Sequence, residues 1–293
     1  MTHTLQNDRL QIAVKTKGAE LTSIQSIHDS LEYLWQGDAS IWAGQAPILF
    51  PIVGGLKDNT YYFEGQKYTM PRHGFIRHNE HIELKHSSDT QLTFTLKSSP
   101  ETKKMYPFEF EFDICYELID NLIIVKHTVI NTDIKSLYFS LGGHPAFKYP
   151  LFDNEYFEDY SVILKKAKIN ESFMLTTEGL IRNATIPIIK NNKIQISRTL
   201  FDHDALIFKN INAERATLQH KTKGPVVTMN FADFPDLGIW SKPAAPFICI
   251  EPWLGYADTE NTHQRLVDKE GIQHLDPGKI AAYVYNIEIH LPQ

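Results

Sequence analysis

The sequence predicts an all-β chain: a large antiparallel β-sandwich with few short helices. Three observations predict it. Apolar residues recur with a period of two through most of the chain, the spacing that puts one face of a strand in a core. Turn residues punctuate these runs, and helical periodicity is nearly absent. No Pro/Gly/Ser-rich linker, internal repeat or low-complexity segment divides the 293 residues, so residues 1–293 read as one domain of packed sheets.

The elements follow in order. Leu10, Ile12 and Val14 alternate with polar residues, and Leu92, Phe94 and Leu96 do the same. A short helix is expected near Ala39–Trp42. The clearest alternation is Phe108, Phe110, Phe112, Ile114, Tyr116 and Leu118, with Glu109, Glu111, Asp113 and Glu117 between them. Asp120-Asn121 then turns the chain into Leu122-Ile123-Ile124-Val125, a long hairpin. Further strands are expected at Ser161–Leu164, Ala205–Phe208, Ala216–Leu218, Val226–Met229, Leu237–Trp240 and Phe247–Ile250. A second short helix is expected near Asn261–Asp268, and a final strand over Ala281–Leu291. Such a sandwich leaves a concave face that side chains from several strands can line.

Composition narrows the function classes. A net charge of -6, with Lys and Arg scattered, argues against nucleic acid or an anionic membrane as partner. The first eight residues hold no apolar signal core, and no apolar run approaches the roughly 20 residues of a membrane helix. Cys115 and Cys249 lie in strand-like runs and read as reduced core residues. These features predict a cytoplasmic protein without a membrane partner.

Familiar signatures are missing: no GxSxG elbow, no phosphate loop, no GxGxxG turn. Thirteen histidines invite a metal, yet there is no HExxH, two cysteines cannot make a CxxC site, and His78 and His81 on an extended segment would not share a face. No metal and no cofactor are expected. Four polar clusters remain. Pro71 to Arg77 places His73, a glycine and Arg77 together, as a cleft-facing bend or as a surface loop. Gly142-Gly143-His144-Pro145 fixes the backbone around His144, for structure or for chemistry. Asp204 opens an apolar strand, as a turn cap or as a ligand-binding group. Glu251-Pro252-Trp253 follows Phe247-Ile248-Cys249-Ile250. A carboxylate at the end of a buried strand is costly unless it is paired or working, and the indole beside it suits the apolar face of a sugar ring. Glu251 and His144 form a candidate acid/base pair.

In this order the clusters resemble the aldose 1-epimerase (galactose mutarotase-like) family, and within it the branch of lactose-operon-associated and hexose-6-phosphate mutarotase-like proteins. The resembling segments are Ala46 to Gly54, His73 to Arg77, Gly143 to Phe147, Asp204 to Phe208 and Glu251 to Gly255. The resemblance implies a galactose mutarotase-like supersandwich with a small carbohydrate as partner. It implies Glu251 as general base, His144 as general acid, His73, Arg77 and Asp204 as sugar contacts, and Trp240 and Trp253 as pocket walls. Two departures stand out. Many relatives carry Arg where this chain has Gly55, and Lys57 and Arg72 are the candidate replacements. His78 to His81 lies where relatives more often have an aromatic residue.

The implied reaction is α/β interconversion of a free aldohexose by ring opening, without cofactor. Glu251 would start ionised and His144 protonated, with a neighbouring carboxylate raising the imidazole and burial opposing it. The alternatives are a hexose-6-phosphate mutarotase, a non-catalytic carbohydrate-binding protein, and a glycoside hydrolase or lyase pairing Glu251 with Asp204 or Asp258.

Overall fold

A computed structural model describes residues 1–292. Its two main sheets are antiparallel, one of nine strands and one of eight, and they face each other as a β-sandwich. Alternation builds the space between them. Along Phe110–Ile119 the residues Phe110, Phe112, Ile114, Tyr116 and Leu118 are buried and Glu111, Asp113, Cys115 and Glu117 between them half-buried. Leu10, Ile12, Val14, Leu92, Phe94 and Leu96 are buried in the same core cluster. Burying each such side chain contributes roughly 1.5–3 kcal/mol. The rings interlock: Phe50 stacks on Phe112 at 4.4 Å and 7°. The expected hairpin is present, with Ile119 opposite Leu122 and Asp120 at a left-handed φ of 51° in the turn.

Helix placement differs from expectation. The stretch 39–41 is a turn, because the Asp38 carboxylate accepts the Ser40 N–H and hydroxyl, a local alternative to helix. Residues 261–268 hold only a 3-10 turn, Leu266–Asp268. The one α-helix among the described residues is Pro100–Met105, capped by the Ser99 side chain accepting from the Thr102 N–H. No helix among the described residues is long and apolar enough to cross a membrane.

The eight-stranded sheet positions the site. Its Phe247–Leu254 strand is buried at every position. Sequence reasoning ends this strand at Ile250 and puts Glu251 just beyond it. The structure instead carries the strand through Glu251 to Leu254. On one side it pairs with Asp236–Trp240, Gly238 opposite Glu251. On the other it pairs with Leu141–Gly143 and then Ala146–Lys148, Gly142 opposite Trp253 and Ala146 opposite Cys249. Between those two short strands the ladder is interrupted, at His144-Pro145. A strand with Pro252 inside it is tolerated beside such a break, where proline's missing N–H is not needed.

Candidate active site

The break in the ladder is where His144 meets Glu251. Residues 144 and 145 bridge two strands that flank the same partner, so the His144 side chain stands beside the centre of Phe247–Leu254. The His144 N–H donates to the Pro47 carbonyl at 3.0 Å, fixing the backbone there. His144 Nε2 lies 3.2 Å from Glu251 Oε2. Both are nearly closed to solvent, at 7% and 1% exposure. His144 Nδ1 and Glu251 Oε2 have no hydrogen-bond partner among the described residues. Unpaired polar atoms at such depth are expensive, and they mark a place where a ligand's polar groups would be welcome.

Aromatic rings fix the imidazole. Trp42 stacks on His144 at 5.2 Å and 27°, Trp240 meets it edge-on at 5.8 Å, and His73 meets it edge-on at 5.6 Å. Trp42 also stacks on Phe247 at 5.3 Å, and the Trp35 indole N–H donates to the Trp42 carbonyl at 2.8 Å. Glycines make room for the other wall. A Cβ on Gly238 would stand 2.4 Å from Trp253 Cζ2, and one on Gly142 2.8 Å from Trp253 Cδ1. The Trp253 indole therefore lies over the backbones of both neighbouring strands.

His73 arrives from a tight bend, with φ of 67° at His73 and 73° at Gly74. A Cβ on Gly74 would come within 2.1 Å of the Phe50 carbonyl oxygen, so glycine is required. The Gly54 N–H donates to His73 Nδ1 at 3.1 Å. An accepting Nδ1 leaves the neutral ring's hydrogen on Nε2, so His73 is a donor. Burial, then His144, Arg72 and Arg77, holds its pKa well below the usual imidazole value.

Burial also pushes His144 down to about 3, helped by Arg77 and Arg72. Burial pushes Glu251 well above the usual carboxylate range. The Trp253 indole N–H, Arg72 and Arg77 oppose that shift, and Asp204 adds to it. The indole nitrogen bears on the carboxylate without reaching hydrogen-bond geometry. Of the two opposing influences expected on His144, burial is the one that prevails, and it lowers the imidazole pKa.

All seven residues singled out from the sequence line one cavity of about 340 Å³: His73, Arg77, His144, Asp204, Trp240, Glu251 and Trp253. That volume is at the lower end for a small-molecule site. Sequence reasoning missed Trp42, Lys242 and Gly179, which also line it. The sequence reading puts Trp42 at the end of a short helix; its stacking on His144 is what brings it to the site. Of the two candidate replacement cations, Arg72 lines the cavity, whereas Lys57 Nζ donates to the Glu260 carbonyl at 3.0 Å. Asp258 does not line it; its carboxylate pairs with buried Lys269 at 3.1 Å. His144, Cys249 and Glu251 each offer one possible metal-ligand atom within 4.8 Å of the others. The charges of Arg72 and Arg77 bear on the same spot and oppose a cation.

Comparison with known proteins identifies the architecture. The sequence model of the family described as aldose 1-epimerase matches residues 1–272. The chain belongs to the aldose 1-epimerase family. That family is an isomerase class. The plasmid-encoded protein LacX of Lactococcus lactis subsp. lactis is 34% identical over 300 residues, covering 99% of each chain. A galactose mutarotase related enzyme from Lactobacillus acidophilus has a similar structure, with a TM-score of 0.94 and 32% identity, covering 100% of this chain and 98% of that one. A galactose mutarotase-like protein from Lactobacillus casei is similar too, with a TM-score of 0.93 and 32% identity over 99% of this chain and 100% of that one.

Proposed function

We propose that the chain is an aldose 1-epimerase that interconverts the α and β anomers of a free aldohexose, with Glu251 and His144 as its acid/base pair. The observation that carries this reading is the 3.2 Å contact of these two buried groups in an aromatic-walled cavity. The partner is a small carbohydrate, and the steps below use only groups of this chain.

Opening the ring requires a proton to leave the C1 hydroxyl and another to reach the ring oxygen as the C1–O5 bond breaks. Glu251 as carboxylate takes the first, and His144 as imidazolium gives the second. The pair ends as carboxylic acid and neutral imidazole. Rotation about C1–C2 and closure on the other face return both protons. The environment favours the neutral pair, since burial raises Glu251 and lowers His144. That is the protonation state matched to the open-chain sugar, the high-energy species on the path. From the ionic pair the proton transfers are therefore downhill for both groups, after the cost of reaching that pair from its neutral resting state. His73 Nε2–H and the Arg77 guanidinium supply donors for oxygen that gains negative charge.

A hexose 6-phosphate is the second reading. Arg72, Arg77 and Lys242 all line the cavity, and none has a carboxylate ion-pair partner among the described residues. Such a gathering of cations suits a phosphate.

Polarimetry on freshly dissolved α-D-galactose, α-D-glucose and glucose 6-phosphate tests the proposal. Wild type should accelerate mutarotation of at least one, and Glu251→Gln and His144→Asn should each lose at least about two orders of magnitude, the low end for an acid or base. Near-wild-type rates from either folded variant would remove that residue from its role.

A further inference from the structure

Arg72 is a cation that the acid/base pair does not account for. It is an exposed residue at the rim of the cavity, with no side-chain hydrogen bond or ion pair among the described residues. Its guanidinium runs past two glycines. A Cβ on Gly179 would stand 1.9 Å from Arg72 Nη2, so a side chain there would displace the guanidinium, and the φ of +77° itself favours glycine. A Cβ on Gly55 would stand 4.0 Å from Arg72 Nε, with only Gly179 and Glu178 carbonyl oxygens slightly nearer, at 3.8 and 3.9 Å. Gly55 therefore leaves open a space that Arg72 borders.

The platform is tied to the strand that carries Glu251. The Asp258 N–H donates to the Gly55 carbonyl at 2.9 Å, and the Ile181 N–H donates to the Asp258 carbonyl at 2.8 Å. Asp258 itself is pinned by buried Lys269, whose Nζ also donates to the Tyr256 carbonyl at 2.6 Å. The segments carrying Gly55 and Gly179 are thus both fastened to the residues just past Phe247–Leu254.

We propose that Arg72 is a substrate-binding cation of this pocket, seated on Gly55 and Gly179 and directed at sugar oxygens. The proposal rests on reading the cavity as a sugar site. A guanidinium presents five donors in a planar fork, which matches adjacent oxygens on one ligand. Where no protein carboxylate claims those donors, a ligand can. The charge also reaches the acid/base pair. Burial dominates the Glu251 shift, but among the charges Arg72 is the largest that favours the carboxylate. A guanidinium from another loop borders the space that Gly55 leaves open.

The test uses Arg72→Ala, Arg72→Lys and the double variant Gly55→Arg/Arg72→Ala. Mutarotation is followed on D-galactose, D-glucose and glucose 6-phosphate, and binding of the same three sugars by tryptophan fluorescence, since Trp42, Trp240 and Trp253 line the pocket. Arg72→Ala should raise KM and weaken binding about tenfold or more, as loss of a charged hydrogen bond does. Arg72→Lys should recover only part, lacking the fork. Gly55→Arg/Arg72→Ala should recover most of the loss, because position 55 has room for a side chain. Unchanged KM and binding in Arg72→Ala would overturn the proposal. So would a defect that Gly55→Arg leaves untouched, which would mark a disturbed loop. Wild type that binds a sugar through Arg72 without accelerating mutarotation would sink the epimerase reading and keep Arg72. Acceleration that ignores Arg72 would do the reverse.

Discussion

Acid should destabilise this protein through a core histidine that does not line the cavity. His127 lies in the core strand Leu122–Asn131 with no exposed surface. Phe112 stacks on it at 5.8 Å and Tyr285 lies at 5.7 Å. Neither ring nitrogen has a hydrogen-bond partner among the described residues. Burial alone pushes its pKa down to about 3. The folded protein therefore keeps His127 neutral, while the unfolded chain protonates it below ~6.5. The sign follows. Between pH 6.5 and 3 the unfolded state binds one more proton, so stability falls as pH falls, by about 1.4 kcal/mol per unit. At pH 5 the accumulated loss is about 2 kcal/mol, and at pH 7.5 it is near zero. His127→Leu removes this term and two unpaired nitrogens. Urea denaturation at pH 7.5 and pH 5 should show the variant gaining on wild type by about 2 kcal/mol between the two. Equal pH dependence in both proteins would refute the reasoning, because it would mean that His127 is solvated or charged in the native state.

Two further outcomes follow from the same geometry. With His144 down to about 3 and Glu251 well above its usual range, the pair holds one proton across the intervening pH. The maximal mutarotation rate should show no limb near the ordinary carboxylate value of ~4.3, and a limb there would show Glu251 titrating as if free. Gly238→Ala places a Cβ 2.4 Å from Trp253 Cζ2. Overpacking of this kind costs roughly 1–3 kcal/mol, so the thermal midpoint should fall and KM should rise severalfold. A variant with both unchanged would show that the indole is not pinned over that glycine.

The sandwich was legible because its signal is local. The run from Phe108 to Leu118 alternates at every second residue, and those residues are the buried ones. The Pro100–Met105 helix was equally local, with Ser99 to cap it and Pro100 to start it, but it is too short to show a period. Residues 39–42 gave the opposite error, since Asp38 closes a turn there with its own carboxylate. At the site, the seven residues named from motifs share one cavity. Trp42 escaped because nothing near it in sequence marks it; its partners His144, Trp240 and Phe247 come from three other segments.

The protonation of the pair was not legible in its motifs, for a more general reason. A motif shows that His144 and Glu251 exist, and a plausible contact between them predicts mutual attraction. Burial acts on both at once, and against both charges. Each group is itself nearly closed to solvent, so the loss of water is paid twice while the attraction is gained once. Whether the pair rests as ions or as neutrals therefore depends on how completely Trp42, Trp240 and Trp253 shut out solvent. Ring opening as written draws on the ionic form of the pair, a minority when the pair rests neutral, and burial favours the return to neutrals as the bond breaks. The aromatic walls would then do more than seat a sugar: by excluding water they set the direction in which proton transfer relieves the site.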